Sequence, residues 1–545
     1  MPRICSERYQ SVFFTCRRIL GKESWDRVLA ALGNDITPQT FADALASQKT
    51  AHHLPDYIDD LARLEWISHQ VKSEDAHSTE SPEKISINPS LSLVPVSWKH
   101  IAALLKNPVS GPDCPQPEAS PVHVIIWRHP RTNEFHIREA LDIDLLALKI
   151  AVEEMDPREA AAIGQTTVGA ILAVLRRAVA QGLLLSPPSR IRRAVSLPPQ
   201  SLKILEPFES ADIFTLQWHI TQDCDLHCKH CYDRSDREPM AYDTALSILD
   251  DFNGFCTRMN VRGQVTFTGG NPLLYPHFLQ LYHDTSDRGL GVAILGNPTA
   301  EAQMERLCRT TKPLFFQISL EGLEEHNDYI RGAGHFRRSL VFLDQLRKMG
   351  IYSMVMLTLT RDNLNQVLPL GELLRERADF FTFNRLSAIG EGKHLLMPEK
   401  EKFVSFLYEY ETAAAHNPIL GFKDNLFNII RKEKNNAFFG GCTGYGCGAA
   451  FNFVSLLPDG EVHACRKFPS PIGDIRHKSL FDIYHSELAQ KYRNGSEACR
   501  NCHLNPVCRG CLAIIHSHGL DVFKDKDPFC FVSAETGKRT DSHPG

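Results

Sequence analysis

Three cysteines stand within eight residues, Cys224-Asp-Leu-His-Cys228-Lys-His-Cys231. Three thiolates on so tight a loop can hold three irons of a [4Fe–4S] cluster and leave the fourth open to a ligand. A structural zinc, which wants four ligands, could instead draw on His227 or His230. Eight more cysteines lie between 442 and 530: Cys442, Cys447, Cys465, Cys499, Cys502, Cys508, Cys511 and Cys530. Read alone, the pairs Cys499-x2-Cys502 and Cys508-x2-Cys511 suit zinc ribbons as well as iron–sulfur clusters. Cys499-Arg-Asn-Cys502-His503 also matches a haem-attachment motif, but that modification goes with export. The other five of the 16 cysteines, Cys5, Cys16, Cys114, Cys256 and Cys308, follow no ligand spacing.

Elements able to hold these loops are legible around them. From about residue 212 strand and helix patterns alternate. Phe214, Leu216, Trp218 and Ile220 alternate with polar residues in a first strand, and the three-cysteine loop follows directly. Later strands are expected at 264–268, 291–296, 315–320, 352–359 and 380–384. Six such repeats imply an α/β fold with a parallel sheet, open or curled into part of a barrel, whose chemistry sits at the C-terminal strand ends. Beyond about 430 glycines, short runs and cysteines take over, which predicts a metal-stapled domain with little apolar core. Ahead of the barrel, residues 1–75 read as helical, with Leu54, Tyr57, Ile58, Leu61, Leu64 and Ile67 on one face. Residues 76–121 read as linker, five prolines falling between 107 and 121. Residues 122–190 hold two strand-like runs, 122–127 and 134–138, then helical patterns at 144–155 and 167–181, a small winged-helix-like module.

Composition narrows the class. The chain has 545 residues, 43% apolar and 23% charged, with a net charge of −5. Its length suits three or four domains. The charge argues against a nucleic-acid partner. No run approaches the ~20 apolar residues of a membrane span, and the start does not read as a signal peptide. A cytoplasmic address is expected, where thiols stay reduced and clustered cysteines mean metal.

The Cys-x3-Cys-x2-Cys loop after the first strand of a βα repeat resembles the signature of the radical S-adenosylmethionine (radical SAM) enzymes. That resemblance implies a partial (β/α)6 barrel over residues 212–420. It also implies a cluster on Cys224, Cys228 and Cys231 whose open iron chelates SAM, and cleavage of SAM to a 5′-deoxyadenosyl radical that takes hydrogen from a substrate. It places His230 by the adenine. In Thr268-Gly269-Gly270-Asn271-Pro272 the family usually has Gly-Gly-Glu, the glycines lying near the SAM ammonium; Asn271 can accept a hydrogen bond but lacks the carboxylate's charge. Asn297 and Ser319 fall where the family contacts SAM, and Arg331 resembles an arginine that pairs with its carboxylate. No catalytic residue beyond the SAM cluster is indicated.

The later cysteines resemble the SPASM extension of these enzymes, here residues 430–535. By that resemblance Cys442, Cys447, Cys465 and Cys511 hold one auxiliary [4Fe–4S] cluster, and Cys499, Cys502, Cys508 and Cys530 hold a second, giving three clusters in all. The last two of the four clustered cysteines are separated by two residues where the family has three. Arg466 follows Cys465 where sulfatase-maturing relatives have an acidic residue that serves as base, which disfavours that activity. SPASM enzymes mostly modify ribosomally made precursor peptides. The N-terminal region would bind the leader of such a peptide, and a flavodoxin or ferredoxin would supply electrons. The Gly-Gly-Asn-Pro variation resembles the selenobiotic, or thio(seleno)oxazole, maturase type, acting at Cys or Sec. The alternatives are an oxidoreductase forming a non-peptide or redox-cofactor product, and a non-catalytic iron–sulfur or zinc binding protein.

Overall fold

The computed structural model describes residues 11–32, 36–73, 82–106, 116–193 and 206–532. The chain divides into two compact units, Met1–Pro188 and Ser189–Gly545. Cys5 and Cys114 lie outside the described residues.

In the first unit, helices α1 (Phe14–Leu32), α2 (Phe41–His52) and α3 (Ile58–Ser73) precede strands β1 (Ser86–Ile87), β2 (Ser92–Lys99), β3 (Glu118–Arg128) and β4 (Phe135–Glu139). Helices α4 (Asp142–Val152), α5 (Pro157–Ile163) and α6 (Val168–Ala180) follow, then β5 (Leu184–Leu185), which pairs with β1. Strands β2, β3 and β4 form an antiparallel sheet in that order. Period-two alternation gives the sheet two apolar faces. Val94, Val96, Val124, Ile126 and Ile137 pack with the first three helices, including Leu54, Ile58, Leu61 and Leu64 of the expected helical face. Ile125 and Trp127, on the other face, pack with α4 to α6.

The expected linker over 76–121 is therefore corrected. It contains β1, β2 and the start of β3. Proline and serine masked the alternation, and Pro95 is tolerated because β2 is an edge strand that need not donate on both sides. The module expected from residue 122 likewise begins with β2: a short helix, Ala103–Lys106, joins β2 to β3, and α4 to α6 follow β4. The unpredicted α5 is started by Asp156, whose carboxylate accepts from the Arg158 N–H, with Pro157 in the first turn.

The second unit carries the barrel. Strands β6 (Ile213–Thr221), β7 (Arg262–Gly269), β8 (Gly291–Leu295), β9 (Phe316–Ser319), β10 (Ser353–Leu359) and β11 (Phe380–Arg385) lie parallel and adjacent in sequence order. Helices cross back between them: α7 (Tyr242–Met259), α8 (Phe278–Asp287), α9 (Glu301–Cys308), α10 (Glu324–Arg331), α11 (His335–Lys348) and α12 (Val367–Leu374). Phe214, Leu216, Trp218 and Ile220 are fully buried, as their alternation requires. Each strand end thus faces the same rim, and the Cys224–Cys231 loop leaves the first of them.

The cysteine-rich segment is not the core-poor appendage its composition suggests. Its strand β12 (Phe453–Leu456) pairs parallel with β6, Phe453 opposite Thr215 and Leu456 opposite Trp218. Strands β13 (Glu461–His463) and β14 (Pro471–Asp474) extend the sheet antiparallel. Phe451, Val454, Val462, Ile483, Ile514 and Ile515 belong to the same buried cluster as the barrel. Short apolar runs between glycines suffice because they add to an existing sheet rather than building a core alone.

Candidate metal-cluster site

The three-cysteine loop is pinned to the end of β7 by backbone pairing. The Gly270 N–H donates to the Thr221 carbonyl (2.8 Å) and the Asn271 N–H to that of Asp223 (2.7 Å). A Cβ on Gly269 would stand 2.1 Å from the Thr221 oxygen, and one on Gly270 2.1 Å from that of Asp223. The two glycines are thus required for the loop to lie against the strand end at all. The Cys231 thiol donates to the Asp233 carbonyl (3.1 Å).

Around this loop the expected contacts are brought together, with different partners. Arg331, on α10, is buried and donates through Nε (2.9 Å) and Nη2 (2.6 Å) to Glu321 Oε1, while its Nη1 lies 3.7 Å from the Cys228 sulfur. His230 Nε2 lies 2.8 Å from the same Glu321 oxygen. The Thr358 N–H donates to Oε2 (2.8 Å). Glu321 is fully buried; burial pushes its carboxyl up, but His230, Arg331 and the Thr358 N–H outweigh that and hold it at about 2. The arginine expected to face a ligand carboxylate is thus anchored by a carboxylate of the chain itself. Asn271 departs from expectation too: its Oδ1 accepts from the Leu273 N–H (3.3 Å), and its Nδ2 donates to Asp225 Oδ1 (3.0 Å). Asn297 donates to the same oxygen (2.6 Å) and reaches Cys224 Sγ at 3.7 Å. Ser319 ends β9, in register with Met356.

Cys442, Cys447, Cys465 and Cys511 line one cavity, together with Arg385, Lys423 and Lys467. Burial pushes the Cys465 thiol up to about 12 and that of Cys511 to about 11. Without metal these are neutral thiols; binding iron must displace their protons. Lys423 and Lys467 suit the negative charge that four thiolates would then carry, Arg385 being already paired with Asp424 and Asp527. Cys499 lies within electrostatic reach of Cys502 and Cys530, and Cys508 within that of Cys499 and Cys530. Cys442, Cys447, Cys465 and Cys511, which line one cavity, fit an iron–sulfur cluster by the chemistry of their donors. When bound, such clusters supply one-electron chemistry.

Several residues the sequence reading missed hold this arrangement. Asp527 takes Arg385 in a two-pronged pair (3.0 and 2.8 Å) and accepts from the N–H groups of Cys511 (2.9 Å) and Phe529 (3.0 Å). Arg193 is buried, donates to the Cys447 carbonyl (2.5 Å) and stacks on Phe451. Arg466 pairs with Asp233, joining the residue after Cys465 to the loop of Cys231. No local signal announces these pairs; a lone buried arginine has the same appearance in sequence as a surface one.

A partial parallel barrel with a three-thiol loop at its rim and further thiol groups beside it defines a cluster-dependent enzyme. The radical SAM superfamily model matches residues 218–374, and that of an iron–sulfur cluster-binding domain, SPASM, matches 447–512. The chain is a radical SAM enzyme with a SPASM domain. It is similar to the antilisterial bacteriocin subtilosin biosynthesis protein AlbA of Bacillus subtilis, 27% identical over 312 residues that span 54% of this chain and 66% of that protein. An AdoMet-dependent heme synthase of Methanosarcina barkeri is 24% identical over 58% of this chain and 95% of its own length. The mycofactocin maturase MftC of Mycolicibacterium smegmatis is 28% identical over 58% and 82%. The fold is also that of Streptococcus suis SuiB bound to precursor peptide SuiA, at TM-score 0.50 and 17% identity, covering 75% of this chain and 97% of that one. No single helix among the described residues is long and apolar enough to cross a membrane.

Proposed function

We propose that the protein is a maturase of a ribosomally made precursor peptide, reductively cleaving SAM and using three [4Fe–4S] clusters. Cys224, Cys228 and Cys231 hold the SAM cluster, and the two quartets hold the auxiliary ones. His230, Gly269, Gly270, Asn271, Asn297, Ser319 and Arg331 form the surroundings of SAM. The substrate position is a Cys or Sec residue, and a flavodoxin or ferredoxin is the electron donor. Relatives that mature peptides support this reading.

The observation that carries the peptide assignment is the edge of β4. Among the described residues this strand pairs only with β3. The Ala140 N–H donates to His123 and the His129 N–H to Glu134, so in the intervening ladder Phe135, Ile137 and Glu139 direct their N–H groups outward. Three outward donors in a row can add an extended peptide as a fourth strand. The heme synthases, matched over nearly their whole length, favour a second reading with a non-peptide substrate.

The test is anaerobic reconstitution of the full chain with iron and sulfide. About twelve irons per chain are expected, with 5′-deoxyadenosine on reduction in the presence of SAM. Added precursor peptide should slow amide exchange at Phe135, Ile137 and Glu139. Iron and SAM cleavage without that protection by any encoded neighbouring peptide would transfer the assignment to the non-peptide reading.

A further inference from the structure

We propose that Asp225 supplies the carboxylate that receives the ammonium of SAM, the charge that Asn271 cannot provide. This rests on the radical SAM reading and adds a binding residue to it. A primary ammonium at a cluster rim needs acceptors. The candidates at the strand ends are few. The Oδ1 of Asn271 already accepts from Leu273. Glu321 is fully buried and consumed by Arg331, His230 and the Thr358 N–H. Asp233 is taken by Arg237, Arg466 and Gln222.

Asp225 differs from all of these. It is exposed, it follows the cluster cysteine Cys224, and it is oriented by two amides that come from the ends of neighbouring strands β7 and β8. Asn271 Nδ2 (3.0 Å) and Asn297 Nδ2 (2.6 Å) both donate to its Oδ1. The same Asn297 amide lies 3.7 Å from Cys224 Sγ, so the carboxylate stands one amide group away from a cluster thiol. Two converging amides fix an aspartate rotamer that would otherwise swing in solvent. The negative charge has in effect moved from the strand end onto the cysteine loop, and the asparagine now holds it in place.

The experiment uses the reconstituted full-length protein and measures SAM affinity by calorimetry, with the change that SAM causes in the electron paramagnetic resonance of the reduced cluster as a second readout. Asp225→Asn keeps the size and removes the charge. Its expected effect is a loss of SAM affinity of about ten- to a hundred-fold, the range for a charge-assisted hydrogen bond. The SAM analogue lacking the amino group should bind wild type and Asp225→Asn equally. In the double variant Asp225→Asn with Asn271→Asp, which returns a carboxylate to the strand end, affinity should recover. SAM affinity within two-fold of wild type in Asp225→Asn overturns the proposal. So does loss of the cluster in Asp225→Asn that the double variant fails to repair, because Asp225 would then serve the loop and not the ligand. Failure of wild type to bind SAM at all would instead overturn the radical SAM reading beneath it.

Discussion

Replacing Asp527 with asparagine tests whether one buried carboxylate closes the cysteine-rich segment. Asp527 is 2% exposed and serves four donors: two nitrogens of Arg385 and the N–H groups of Cys511 and Phe529. Asparagine keeps one accepting oxygen and turns an NH2 toward donors. Breaking one partner of a buried ion pair costs about 3–5 kcal/mol. Arg385 keeps Asp424 at 2.6 Å, which places the ionic loss at the lower end of that range. A backbone N–H left without an acceptor adds about 1–3 kcal/mol. The expected loss is therefore about 4 kcal/mol, concentrated where Cys511 of one quartet and Cys530 of the other are positioned. Iron should fall from about twelve toward about four per chain, with SAM cleavage retained and the urea midpoint lowered. Cluster that does assemble should be easier to reduce, since a negative charge beside Cys499, Cys508 and Cys511 is gone. Twelve irons with an unshifted midpoint would refute the reasoning.

Other substitutions separate the parts of the site. Cys228→Ala should abolish SAM cleavage, whereas Cys502→Ala should leave uncoupled 5′-deoxyadenosine with little modified product; equal loss of folded protein in both would sink that division of roles. Gly270→Ala drives a Cβ to within 2.1 Å of the Asp223 oxygen, so it should displace the loop and cost about four irons, read by iron analysis. Arg466→Gln breaks the pair with Asp233 and should speed amide exchange through residues 231–235 without lowering iron at the second auxiliary quartet.

Acid stability follows from two groups with opposite chemistry. Burial, with Arg331 adding to it, lowers His335 from 6.5 to about 4, so unfolding takes up a proton between those values and stability falls by about 3 kcal/mol as pH drops through that window. Glu321, lowered from 4.5 to about 2, contributes about 3 kcal/mol above pH 4.5 that is lost as pH falls toward 2. Urea midpoints at pH 7, 5.5 and 4 should decline in that order. In His335→Gln the first decline should shrink; an unchanged slope would remove His335 from the account.

What the residue order determined by itself was local. Cysteine spacing on one loop sets which thiols can share a cluster, and the alternation Phe214, Leu216, Trp218, Ile220 sets a strand and its buried face, because both depend only on residues a few positions apart. The six parallel strands followed from repetition of that pattern. Strand β2 escaped because Pro95 is a poor strand residue everywhere except at a sheet edge, and being an edge is a property of the assembled sheet. The same holds for charge. Asp225 meets Asn271 and Asn297 across 46 and 72 positions, and Arg385 meets Asp527 across 142. Arg193 reaches the Cys447 carbonyl across 254. Such partners are chosen by which strand ends the barrel sets side by side, and a buried ion pair leaves no period in the sequence. The candidate ligands stood out by type and spacing, while the residues that orient and neutralise them were decided only when the tertiary structure closed.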